Sequence, residues 1–116
     1  MNTAELLSLI DEHVRDATIN DLIALFTSPP GRKPEKFLVD VAAWRSNLND
    51  HDRELLDRVI AESVKGALFG LFAVVDGARV VDQTVERFVI CTEDHDGNRV
   101  PINDMGSDLH SHFAPD

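Results

Sequence analysis

The stretch from Asp50 to Asp76 sets what this chain can fold into. Leu56, Ile60, Val64, Ala67, Leu71 and Val75 recur every three or four residues, and Leu55, Val59, Leu68 and Phe72 widen the stripe. That spacing predicts one long amphipathic helix. Asn49, Asp50 and Asp52 suit its start, where the first amide groups lack partners. Gly77 suits its end, because glycine adopts the left-handed conformation without steric cost. The opposite face opens with Arg58, Glu62 and Lys65 and turns apolar at Phe69 and Ala73. A helix apolar all round must be covered, here by C-terminal strands or a second subunit. Phe69 is therefore expected to be buried. Two short strands cover little, so a homodimer is expected. Gly66 and Gly70, four apart, read as close packing against a neighbouring element. The apolar run 67–75 is far shorter than the ~20 residues of a membrane span.

The flanking patterns predict a single α+β domain over residues 1–116, with three to four helices, then a small antiparallel sheet, then a short C-terminal helical turn. Thr3 can cap a helix to about Arg15 carrying Leu6, Leu7, Ile10 and Val14. Thr18–Asp21 reads as a break, followed by a short helix through Leu22, Ile23, Leu25 and Phe26. Pro29, Pro30, Gly31 and Pro34 end it. Arg32, Lys33 and Lys36 form a tight basic cluster in this connector, without the glycine-rich cradle of a phosphate site. From Pro34 to Leu48 a third helix is expected, with Phe37, Val41, Trp44 and Leu48 on its apolar stripe and Trp44 in the core.

After Gly77 the period changes. Val80 and Val81 suggest a short strand. Val85–Thr92 alternates and predicts a covered strand, with Cys91 buried and inert. Asp96-Gly97 is a hairpin turn signal. Val100 and Ile102 share a face of the returning strand, and Pro101 makes it an edge. Ser107 is placed to cap a last turn in which Leu109 and Phe113 dock together.

The chain carries 21 acidic against 11 basic side chains, a formal net charge of −10. That disfavours nucleic acid and anionic membrane as partners and steers the protein toward a basic surface. A single cysteine excludes an internal disulfide framework. Met1–Leu9 lacks a signal-peptide pattern, so a cytoplasmic protein is expected.

Candidate chemistry is thin. Asp94, Asp96 and Asn98 beside Gly97 fail the calcium-loop register, because Asn103 falls where a bidentate glutamate is needed. His110 and His112, with Asp108, would ligate a metal only if the tail let them converge, because residues two apart on a helix diverge. Ser107, Asp108 and His110 lie too close in sequence for triad geometry. No cofactor fingerprint is present, and an enzyme is not expected. Charge remains: Glu93, Asp94, Asp96, Asp104, Asp108 and Asp116 face Arg99 alone in the last stretch. The reading is a protein-binding module whose contact surface comprises Glu93, Asp94, Asp96, Asp104 and Asp108, with Phe113 as an apolar anchor, directed at a basic protein partner. Small size, acidity and absent catalytic motifs are similar to those of bacterial immunity proteins that neutralise toxins, a resemblance of class that carries no motif residue. The alternatives are a small metal-dependent hydrolase using the His110/His112/Asp108 cluster, or an oligomeric scaffold.

Overall fold

The computed structural model describes residues Met1–Pro115, which leaves Asp116 of the acidic tail outside the described residues. The α+β class is the one found. Three helical rods precede a two-stranded antiparallel hairpin and a final 3-10 turn.

The first rod is one uninterrupted run of residues 3–27: α1 (Thr3–Ile10), a π-helical stretch (Asp11–Asp16) and α2 (Ala17–Thr27). Asn2, rather than Thr3, caps it, its side chain accepting from the Glu5 amide at 2.8 Å. The break expected at Thr18–Asp21 is absent. Asn20 and Asp21 sit on the exposed side, where their polar groups remain hydrated and the helix passes through them. The irregularity lies earlier. The i→i+5 winding of the π stretch shifts the phase of the stripe, so Val14 turns outward while Arg15 turns partly in.

The second rod, α3, spans Lys36–Ser46. The third, α4, spans Asp50–Val75, and the Asn49 side chain caps it by accepting from Asp52 N at 2.8 Å. Gly77 follows its last turn at φ 81°, as its position predicted. The corner between α3 and α4 is fixed by two arginines. The buried Arg45 guanidinium forks onto Asp57 at 2.8 and 3.0 Å, and Arg53 donates to Leu48 O at 2.8 Å.

Trp44 and Phe37 are not core. They stand 53% and 63% exposed on α3. The stripe they belong to is real, but α3 packs chiefly against α2, and Leu38, Val41 and Ala42 are its half-buried residues. Gly66 also departs from expectation, since a Cβ there would meet nothing within 4 Å in the chain.

Residues 78–90 form no strand, contrary to the alternation of Val85–Thr92 and to the Val80–Val81 pair. Their backbone is spoken for by other groups. Arg79 N donates to Ala73 O and Phe88 N to Val75 O, so carbonyls near the end of α4 take the amides a ladder would use. Ile90 N goes to the Asn103 side chain at 2.7 Å. Strand pairing is confined to β1 (Cys91–Glu93) and β2 (Arg99–Pro101), in register Cys91↔Pro101, Thr92↔Val100, Glu93↔Arg99. Asp96-Gly97 makes the turn, with Gly97 at φ 84°.

The core sits where the end of α4 meets the 3-10 turn (His110–Phe113). Leu68, Phe72, Leu109 and Phe113 form it, and Leu7, Ile10, Val64, Phe69, Val75 and Ile90 pack around it. The Phe72 and Phe113 rings stack with centroids 5.4 Å apart. Much of the apolar late half of α4 is thus covered by the chain's own C-terminal turn and first helix, but Leu71 of the expected stripe stays 56% exposed. Phe69 lies half-buried at the rim of this core rather than inside it.

Candidate functional site

The segment after α4 carries most of the residues singled out by charge. At the hairpin tip Asp94 is the organising group. Its carboxylate accepts from Asp96 N and Asn98 N at 2.9 Å each, and from Asn98 Nδ2 at 3.1 Å. Those donors, Asn98 foremost, hold the Asp94 carboxyl below its usual range. Glu93 pairs with Arg99 at 2.8 Å across the hairpin. Asp96 is exposed with no ionic partner among the described residues. Asp104 turns the chain after β2, accepting from Gly106 N at 2.9 Å and from the Ser107 hydroxyl at 3.2 Å. Asp108, rather than Ser107, serves the last turn. It accepts from the Ser111 hydroxyl at 2.8 Å, which with the nearby His110 lowers its pKa.

Phe113 does not belong to this surface. It is 1% exposed and closes the core, because the 3-10 turn directs Leu109 and Phe113 together onto α4. Cys91, expected to be buried, is exposed, since the short two-stranded ribbon has no layer over that face.

His110 and His112 do not converge. His112 Nε2 reaches back to Asp11 Oδ2 at 2.8 Å, at the start of the π stretch. Asp11 also forms an ion pair with Arg15, Nη1 lying 2.8 Å from Oδ1, and through His112 the carboxylate ties the C-terminal turn to the first rod. His110 turns the other way. Its Nδ1 lies 2.7 Å from Asp76 Oδ2 and 3.1 Å from Asp108 Oδ1, and its ring meets Phe69 edge-on. Three possible cation ligands are therefore clustered, from residues 76, 108 and 110. The spacing is that of hydrogen bonds. Two ligands each about 2.0–2.1 Å from a tetrahedral ion stand more than 3 Å apart, and the His110–Asp76 contact is shorter. The His110 backbone amide also donates to the same Asp76 oxygen at 2.9 Å. The arrangement works as a latch between the end of α4 and the last turn. Ser107 takes no part in it, being bound to Asp104.

Reading the residues in order passed over Asp76 and Asp11. Asp76 had a signal: a carboxylate at a helix C-terminus opposes the helix dipole, so its place there asks for a compensating donor. Asp11 had none, because its role depends on a contact 101 residues away.

Compared with protein-family models, with curated proteins and with solved structures, the chain matches none. No helix among the described residues is long and apolar enough to cross a membrane.

Proposed function

We propose that this protein acts by binding a basic protein partner, with the acidic hairpin and the turn beyond it as the charged contact surface. The observation that carries the reading is the state of the charges there. Asp94, Asp96, Asp104 and Asp108 are exposed, Arg99 is already bound to Glu93, and Arg87, which reaches the neighbouring turn, is engaged by Asn103 O at 3.3 Å and Met105 Sδ at 3.2 Å. The hydrogen bonds at Asp94 and Asp108 favour their ionised forms. A surface with an excess of negative charge accelerates encounter with a positive one and selects against acidic partners. Neutralisation of a basic toxin is the most concrete form of this activity, by analogy of class with small acidic immunity proteins. An exposed, unpaired Cys91 suits a reducing compartment such as the cytoplasm.

The hairpin geometry fixes the design of the test. Asp94 holds the turn, so reversing it would disturb the fold. Glu93→Lys with Asp96→Lys reverses charge and leaves the Asp94 turn intact. A partner is first captured from the native host with the wild-type chain, and association kinetics are then compared. The double variant should associate roughly tenfold more slowly at low salt, with a flatter salt dependence and little change in Tm. Unchanged association rates would return the charge to solubility alone.

A further inference from the structure

The first two-thirds of the chain leave a second, near-neutral surface open. The first rod lies against both other helices, since α2 packs on α3 and on α4, while α3 and α4 meet only at their corner. Rods arranged in a row make one layer, and one layer cannot bury both its faces. The consequence shows in the dimensions. The radius of gyration is 18.2 Å, against about 13 Å for a compact chain of this length. The accessible surface is 8147 Å², against roughly 6,300 Å² for a compact monomer of 12.9 kDa.

The uncovered residues are large and apolar. Phe37 and Trp44 stand out along one stripe of α3, and Leu55 and Val59 along one stripe of α4, all of them more than half exposed. Gly66, one turn or two further along α4, faces open space. The rim is neutralised internally. Lys36 pairs with Asp40 at 2.6 Å and Arg58 with Glu62 at 3.6 Å. Residues 36–75 carry five basic and six acidic side chains in all, so the acidic excess of the molecule lies elsewhere.

We propose that this α3–α4 surface seats a second copy of the same chain. The area agrees with that occupant. The excess over a compact monomer, about 1,800 Å² summed over the whole chain, leaves room for the roughly 1,000–2,500 Å² per subunit that obligate dimers remove from solvent. The charge agrees as well. A near-neutral surface has no sign with which to select an oppositely charged partner, and two copies of it meet without a concentration of like charge at the contact, although each chain carries a net charge of −10. A two-fold contact is self-complementary, and Phe37 and Trp44 are the aromatic type that anchors such contacts. This surface is distinct from the acidic hairpin, and its assembly is read out without any heterologous partner.

Trp44 is the only tryptophan and reports on the surface directly. The experiment combines sedimentation equilibrium with acrylamide quenching of Trp44 on the wild-type chain over a wide concentration range. The expected result is twice the 12.9 kDa chain mass at high concentration, with quenching severalfold weaker there than on dilution. Phe37→Asp with Val59→Asp should raise the dimer dissociation constant at least tenfold and leave Trp44 fully quenchable throughout. A 12.9 kDa monomer at every concentration would overturn the proposal. So would a dimer in which Trp44 stays fully quenchable, which would place the contact on another face. Shielding of Trp44 that appears only with lipid vesicles, the chain remaining monomeric, would also overturn it. The wild-type measurements decide the matter even if the double variant fails to fold.

Discussion

Asp76 and His110 hold each other at two points: the His110 backbone amide and its Nδ1 both reach the same carboxylate oxygen, at 2.9 and 2.7 Å. The Asp76 side chain is only 4% exposed, and its other oxygen, Oδ1, is buried without a hydrogen-bond partner among the described residues. A carboxylate in that position, at the negative end of α4, is tolerable only while its donors stay in place. The pair fastens the last turn over Phe72 and so keeps the core closed.

Removing the ring should therefore cost more than the hydrogen bond it made. His110→Ala leaves Asp76 buried with the backbone donor alone, and should destabilise the protein by about 3 kcal/mol in urea unfolding. Adding Asp76→Asn should recover part of that loss, because a neutral amide is cheaper to bury. A double variant no more stable than His110→Ala would show that the buried charge is not the source of the cost.

Asn103 is the second polar group the fold depends on. It is 3% exposed, its Oδ1 accepting from Ile90 N at 2.7 Å and its Nδ2 donating to Phe88 O at 2.8 Å. One side-chain amide thus bonds the backbone just beyond the last ladder-type contact, Ile102 N to Ile90 O at 2.7 Å. Asn103→Ala leaves two part-buried backbone groups unpaired and should cost about 1–3 kcal/mol, with amide exchange at Ile90 rising ahead of that in α4. Asn103→Asp keeps the acceptor, loses the donor and buries a charge, so it should be no milder.

These two residues show where the sequence was legible and where it was not. The span of α4, its Asn49 cap, the Asp96-Gly97 turn and the docking of Leu109 on Phe113 all rest on neighbours within a few positions, and each is found where its spacing puts it. The failures share one cause. Val85–Thr92 alternates as a strand does, but the partner that claims Ile90 is a side chain 13 residues away. Trp44 lies on a true apolar stripe, yet periodicity identifies a face without saying whether the same chain covers it. Asp11 and Asp76 acquired their roles from His112 and His110, contacts that no local pattern announces. In the acidic segment the positions were readable, but the division of labour was not: Asp94 and Asp104 build turns, while Asp96 is left to solvent.

Gly77 is constrained twice. Its φ of 81° already disfavours any side chain, and a Cβ there would sit 2.2 Å from Glu86 O. That obstacle is backbone of the segment that crosses the end of α4, and it cannot swing aside. Gly77→Ala should cost more than about 3 kcal/mol, well above the roughly 1 kcal/mol of an ordinary left-handed glycine. Gly66→Ala, where a Cβ meets nothing in the chain, should stabilise the isolated helix slightly by propensity. Thermal unfolding of the two variants side by side separates these effects. Equal Tm values would deny the close approach at residue 77.

The acid limb of stability should trace to Asp94 and Asp108. Both have folded-state pKa values lowered from 3.8, Asp94 chiefly by the Asn98 donors and Asp108 chiefly by the Ser111 hydroxyl. The sign follows from linkage. A carboxylate whose pKa is depressed on folding contributes stability that is fully present above the unfolded value, and the contribution is lost as pH falls through the folded one. The hairpin and the last turn should therefore hold unchanged near neutrality and loosen only once the pH drops below about 4. Both groups are exposed, so the effect should be local opening rather than collapse of the core. Amide exchange or chemical shifts at Asp96, Asn98 and Ser111 followed down the acid range would show it. Asp94→Asn keeps an acceptor but removes the titrating charge, and it should abolish the acid transition at Asp96 and Asn98 while leaving that at Ser111. A transition at the hairpin tip that persists unchanged in Asp94→Asn would assign it to some other group.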